Sequence, residues 1–164
     1  MGKASLAKDK KLELLESSCR QRGVPVTVQR RAILSALVDR DDHPTIDQIF
    51  ADVKQRIPGV SRTTVYRALE TLVELGIAKR TKHFESAARF EGNTERHHHL
   101  VCVRCNKVID FDDPELSGLP LPNMRRTGFE ITDFSVYFEG LCPNCKHLSN
   151  ETQQSKQSRR SNQR

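Results

Sequence analysis

Apolar residues recur at helical spacing through the first half of the chain and at strand spacing through much of the second. Leu12, Leu15 and Cys19 fall at i, i+3 and i+7 within residues 6–21, which predicts a helix ended by Gly23 and Pro25. Cys19 then reads as a small buried apolar residue. Thr27 is an N-cap for a second helix reaching about Val38, with Ile33, Leu34 and Leu37 as its stripe. Residues 39–44 form a polar connection. Thr45-Ile46-Asp47-Gln48 is a capping box that opens a third helix, with Ile46, Ile49, Phe50 and Val53 inward and Ile57-Pro58-Gly59 as its stop. Ser61 caps a fourth helix from Arg62 to about Leu75, closed by Gly76 at C′. Its core face is Val65, Leu69, Leu72 and Val73; Thr63 and Arg67 lie opposite, flanked by Tyr66.

After Gly76 the period changes. Residues 77–82 read as a loop and 87–91 follow; together they read as a β-hairpin wing, so residues 1–90 are expected to form a winged-helix domain. Residues 91–96 are a polar hinge. Residues 97–149 form a second domain, with a hairpin turned at Arg104-Cys105-Asn106-Lys107 and a strand over 129–138. Between them, residues 114–126 hold Pro114, Pro120, Pro122 and Gly118, which argues against a long helix. Residues 150–164 are rich in Ser, Gln and Arg and are expected to be a disordered basic tail. The fold class expected is α+β.

Charge divides the chain in the same way. Residues 1–82 carry 16 basic and 10 acidic residues, and residues 83–149 are net −3. A basic helical half beside an acidic half suggests a nucleic-acid module joined to a sensor. Basic side chains at Arg30 and Arg31 work against the dipole at a helix start, which makes them candidate phosphate contacts. Arg62, Thr63, Tyr66 and Arg67 form the polar N-terminal face of the fourth helix, where helix-turn-helix logic places DNA contacts. No stretch approaches the roughly 18 apolar residues of a membrane span, and no secretory leader is visible, so a cytoplasmic protein is expected.

Four of the five cysteines sit in two Cys-x-x-Cys pairs, Cys102/Cys105 and Cys142/Cys145, with 36 residues between the pairs. Four thiolates close a tetrahedral zinc shell, and a shell with no open position is structural. His97 and His99 share one face of a strand, His98 takes the other, and Asp110 lies on the adjoining hairpin strand. Two imidazoles and a carboxylate make a nitrogen/oxygen site suited to iron(II), manganese or zinc.

Taken together, residues 27–31, His43-Pro44-Thr45, residues 61–69, Arg89-Phe90-Glu91, the His97/His99 pair, both cysteine pairs and residues 108–111 resemble the ferric uptake regulator superfamily of bacterial metal-dependent repressors. The resemblance covers roughly Leu12 to Cys145. It implies a homodimer, with an N-terminal winged helix and a C-terminal α/β dimerisation domain. The helix bearing Tyr66 would enter the major groove of a palindromic AT-rich double-stranded operator. Cys102, Cys105, Cys142 and Cys145 would hold structural zinc. His43, Glu91, His97, His99 and Asp110 would form the regulatory site for iron(II) or manganese(II). Some family members carry a further metal site; the matching positions here, Arg96, His98, Ser117 and Phe134, cannot make it. The last carboxylate tends to be Glu in iron-uptake regulators and Asp in the peroxide-sensing branch. The hinge carboxylate tends the same way, and this chain mixes them as Glu91 and Asp110. A shorter carboxylate leaves room at the metal, so the expectation is a peroxide-responsive repressor, with iron-responsive and zinc-responsive repression as alternatives.

The rival classes are a metal-dependent hydrolase and a zinc-stapled interaction module that binds no DNA. A zinc deaminase does not fit, because the residue two after His97 is His99 and not Glu. The reading adopted is a transcription regulator, with no enzyme activity, small organic substrate or membrane partner.

Overall fold

A computed structural model describes residues 3–81 and 88–147. The chain divides into two compact units, one running to Glu95 and one starting at Arg96. Within the described residues no helix is long and apolar enough to cross a membrane.

The first unit is built on four helices: α1 (Lys3–Gln21), α2 (Val28–Val38), α3 (Ile46–Arg56) and α4 (Arg62–Glu74). Each boundary has a local cause. The Thr27 side chain accepts from the Arg30 amide, and Ser61 accepts from that of Thr64. Thr45 and Gln48 complete a reciprocal capping box. Gly76 takes φ +70°, a left-handed C′ conformation that a residue with a Cβ resists. α2 is the central element, packed against α1, α3 and α4. The core it organises is apolar throughout: Leu15, Cys19, Ile33, Leu34, Leu37, Ile49, Val65, Leu69 and Leu72 are all buried.

The wing is a short antiparallel pair, β1 (Lys79–Thr81) with β2 (Arg89–Glu91). Lys79–Thr81, read from sequence as loop, is therefore strand. The connecting residues of the wing and the tail 150–164 lie outside the described residues. A third segment joins the pair. Thr45 bridges Arg89, and the Phe90 amide donates to the Pro44 carbonyl at 3.0 Å. The chain just before α3 is thus laid along the strand that ends at Glu91.

The second unit is a three-stranded sheet in the order β4-β3-β5. β3 (His98–Cys102) and β4 (Val108–Phe111) form the expected hairpin, with Asn106 at φ +56° in its turn. β5 (Tyr137–Gly140) lies parallel to β3 on its other side. The strand expected over 129–138 is thus corrected to 137–140. Pairing starts where β3 offers a partner, at His99 opposite Tyr137. Residues 129–135 have no neighbouring strand among the described residues to complete their backbone hydrogen bonds. Between β4 and β5 the proline-rich segment forms one helical turn, α5 (Pro114–Ser117), capped by Asp113, and a 3-10 turn at Arg125–Thr127. The absence of a long helix among the described residues there agrees with its prolines.

Candidate metal centres and nucleic-acid interface

Parallel pairing of β3 with β5 determines where the cysteines meet. Both strands run toward the same end of the sheet, with Cys102 opposite Gly140. Cys102 closes β3, and Cys142 follows β5 after one intervening residue. Two turns 36 residues apart in sequence therefore emerge side by side. The four sulfurs lie within 4.8 Å of one another. Cys105 and Cys142 Sγ are 3.7 Å apart, close to the roughly 3.8 Å that a tetrahedral shell of about 2.3 Å Zn–S bonds dictates. No disulfide links the described cysteines.

The surroundings act in opposite directions on two of the sulfurs. The backbone N–H groups of Cys142 and Cys105 donate toward Cys102 and pull its pKa down to about 6. Cys145 is pushed the other way, up to about 12, by burial and then by the neighbouring thiols of Cys142, Cys105 and Cys102. Four sulfurs this close cannot all ionise without a cation among them, and zinc is the cation whose ligand chemistry and geometry match. Arg104 Nη1 donates to the Cys145 carbonyl at 3.2 Å, which ties the second turn to the first. The four-cysteine set suits structural zinc.

On the sheet face away from His98, His97 and His99 stand together, their ring centroids 4.6 Å apart. Asp110 faces His99 across the β3–β4 ladder. His97 Nε2 is 3.5 Å from Asp110 Oδ2, and His99 Nε2 is 3.8 Å from Oδ1. Tyr137 of β5 stacks on the His99 ring at 4.6 Å, a wall that strand spacing alone did not reveal. Both imidazoles are buried, and Asp110 is half-buried. Of the five residues that the family resemblance implies for the regulatory metal, the second unit brings these three together.

The first unit brings together the other two. His43 Nδ1 lies 3.1 Å from Glu91 Oε2, and both side chains are buried. His43 itself adopts φ +50°, a left-handed conformation that a residue with a Cβ enters at a cost of about 1 kcal/mol or more. One contact reaches it directly, and a second braces the residue before it. Arg89 Nη1 donates to the His43 carbonyl at 2.9 Å. Arg40 forks onto Asp42 at 2.8 and 2.6 Å and reaches Asp52 of α3 at 2.8 Å. The Arg40 hydrogen bonds hold the Asp42 carboxyl below its ordinary range. A loop that reads from sequence as a polar connection is thus braced to present one imidazole to Glu91. Imidazole beside carboxylate is a nitrogen/oxygen donor pair of the kind that suits iron(II), manganese(II) or zinc(II).

The positions of the family's further site have other roles. His98, fully buried, accepts the Val136 amide at Nδ1 (3.2 Å) and meets Ser117 Oγ from Nε2 at 3.1 Å. Because Nδ1 accepts, the neutral ring carries its proton on Nε2 and donates to Ser117. Arg96 bonds Asp133 at 3.0 Å and lies over the Phe134 ring at 4.8 Å.

On the fourth helix, Arg62, Thr63, Tyr66 and Arg67 are all exposed, with Thr63 and Arg67 on the face opposite Val65 and Leu69. Arg62 is held by Asp47 of α3, and its hydrogen bond lowers the Asp47 pKa. Arg30 is half-buried and its guanidinium turns back on the Pro25 carbonyl. Arg31 pairs with Glu16 of α1 at 2.6 Å.

Comparison with known proteins identifies the family. The Ferric uptake regulator family profile matches residues 21–139. The peroxide-responsive repressor PerR of Staphylococcus epidermidis is 34% identical over 142 residues, covering 87% of this chain and 95% of its own. PerR of Staphylococcus aureus (strain USA300) is 36% identical over 136 residues, covering 82% and 92%. The ferric uptake regulator of Francisella tularensis, solved with iron, superposes with a TM-score of 0.63 at 29% identity, covering 76% of this chain and 96% of that one. With four cysteines gathered as zinc requires, a winged helix and a match spanning both units, this chain belongs to the ferric uptake regulator family, whose members are metal-responsive transcription regulators and not enzymes.

Proposed function

We propose that the protein is a homodimeric, metal-dependent transcriptional repressor that senses peroxide through iron(II) or manganese(II). The observation that carries the reading is the donor set: His43 with Glu91 in one unit, and His97, His99 and Asp110 in the other. All five serve one ion in this reading. An ion that draws ligands from both units fixes the angle between them, and with it the spacing of the two α4 helices in a dimer. Binding to DNA and to metal then strengthen each other by the same factor.

The α4 residues Thr63, Tyr66 and Arg67, with Arg62 and Arg30, are the proposed contacts to a palindromic AT-rich duplex. Support for dimerisation comes from the second unit, where Leu100, Ile109, Phe138 and Leu141 are large, apolar and exposed along the sheet and just beyond it.

The peroxide reading draws on Asp110 in the last carboxylate position and on the two peroxide-responsive relatives. Iron(II), when held there, supplies the electrons that reduce peroxide and so directs oxidation to an adjacent imidazole. His43 and His97 are the imidazoles exposed to that damage, and Asp110, one methylene shorter than Glu, leaves room for the oxidant. The test is mass spectrometry of iron-loaded protein after brief low-dose peroxide. A gain of one oxygen on a peptide holding His43 or His97, together with loss of DNA binding, is expected. Unmodified histidines with retained binding would leave the iron-responsive alternative standing, in which the longer Glu91 fills the site and protects the iron.

A further inference from the structure

A carboxylate sits on the face proposed for DNA, where negative charge works against a polyanion. Asp47 is the second residue of α3, and Arg62 is the first residue of α4. Arg62 Nε donates to Asp47 Oδ1 at 2.5 Å, and Nη2 donates to Oδ2 at 3.1 Å. Their side chains are 62% and 67% exposed. Burial gives this pair almost nothing, and solvent screening leaves an exposed ion pair with little effect on stability. Fold stability therefore does not account for an acid at this place.

Geometry gives a better account. Arg carries five N–H donors in a rigid plane. The side-on fork to Asp47 takes two of them, which leaves both protons of Nη1 and one of Nη2 directed away from the carboxylate. A bare arginine at a helix start samples many rotamers and meets whichever phosphate is near. One whose plane is fixed by a second element presents its remaining donors in one direction, the condition for two parallel hydrogen bonds to a base edge. The pair is also neutral as a whole. It therefore displaces few counterions from DNA, unlike Arg67, which has no ion pair among the described residues.

We propose that Asp47 is a specificity-determining residue: by holding the Arg62 guanidinium from the neighbouring helix, it converts a phosphate-seeking cation into a reader of base sequence. Asp47 itself touches no DNA; it positions Arg62. The inference rests on the DNA-binding reading above.

The test uses metal-loaded full-length protein and two duplexes, one enriched from a randomised pool by the wild-type protein and one of random sequence. Asp47→Ala should bind the random duplex more tightly, with a salt dependence steeper by about one unit of slope, as Arg62 becomes an unbalanced charge. The ratio of selected to random affinity should fall about three- to ten-fold, part of the discrimination that a good bidentate contact carries. Asp47→Asn, which keeps one acceptor oxygen, should lose less. In an Arg62→Ala background, Asp47→Ala should leave the ratio unchanged. If Asp47→Ala tightens both duplexes equally, Asp47 is only a repulsive charge and the proposal is wrong. It is also wrong if the ratio falls as much without Arg62. If the wild-type protein enriches and binds no duplex at all, the DNA-binding reading fails first; binding with an unmoved ratio overturns this inference alone.

Discussion

The two units of this chain solve the same problem with different materials. The first buries an apolar core of fifteen residues among those described, and side chains cap the starts of α2, α3 and α4. The second buries Val101 and Val108, two cysteines and three histidines, and leaves Phe129, Phe138 and Leu121 at the surface. Its strands are four or five residues long. Three short strands and a few isolated helical turns cannot enclose enough apolar surface to offset the entropy of ordering them. Metal ligation takes the place of the missing core: four sulfurs tie β3 and β5 at one end, and a cluster of buried imidazoles lines the sheet. One unit is held by burial and the other by coordination.

The comparison breaks most visibly at the zinc site. Cys102→Ser, or prolonged chelation, should remove zinc and unfold the second unit, because a structural site of this kind contributes on the order of 10 kcal/mol. The helical signal of the first unit should persist in circular dichroism while zinc content and dimer both vanish. A variant that stays a zinc-free dimer with an intact second unit would show that burial suffices there.

The converse change is Leu69→Ala. Leu69 is fully buried on α4, and its truncation should cost about 2–5 kcal/mol in the first unit. Chemical denaturation followed by far-UV circular dichroism measures the loss, and zinc content should not change. Loss of zinc with the helices would mean that the two units fold as one.

A third variant separates the two kinds of metal set. Asp110→Ala should leave a folded protein that keeps its zinc and loses the gain in DNA affinity on adding iron(II) or manganese(II). A coupling of about 1–3 kcal/mol, or roughly 5- to 150-fold in affinity, is at stake. Fluorescence anisotropy on a duplex selected by the wild-type protein reads it, and an undiminished metal response would place the switch elsewhere.

The smallest effect concerns the surface of the burial-held unit. Asp39 meets Lys8 at 2.8 Å and Arg56 at 3.2 Å. Partial burial opposes its charge, but the hydrogen bonds from Lys8 and Arg56 outweigh this and hold its pKa below the ordinary value. A lowered carboxylate pKa stabilises the fold above the unfolded-state value, and that contribution is lost as pH falls through the folded value. The pair is more than a third exposed on the Asp39 side, so its worth is below about 1 kcal/mol and shrinks further in salt. Melting temperatures of wild type and Asp39→Asn should differ slightly at neutral pH and converge in acid; an equal gap at both would assign the effect to packing.

Local chemistry made much of this molecule legible in the sequence. Thr27, Thr45 and Ser61 mark helix starts because a side-chain oxygen satisfies an amide that the helix cannot, and Gly76 marks an end because the left-handed turn needs it. Alternation along β3 separates His97 and His99 from His98, and the hairpin places Asp110 opposite His99. The paired Cys-x-x-Cys spacing announces a zinc shell before any fold is known. The rest depended on neighbours that sequence distance conceals. A strand over 129–138 was expected from its apolar content, but only residues 137–140 find a partner on β3, and a strand exists only where another completes its hydrogen bonds. That same parallel pairing, which no local pattern encodes, brings two distant cysteine turns to one end of the sheet. His43, in a left-handed backbone, has its carbonyl held by Arg89, 46 positions away. Asp47 meets Arg62 because α3 and α4 pack together. Periodicity and capping act over a few residues and can be read directly; coordination and orientation arise between residues that only the folded chain makes adjacent.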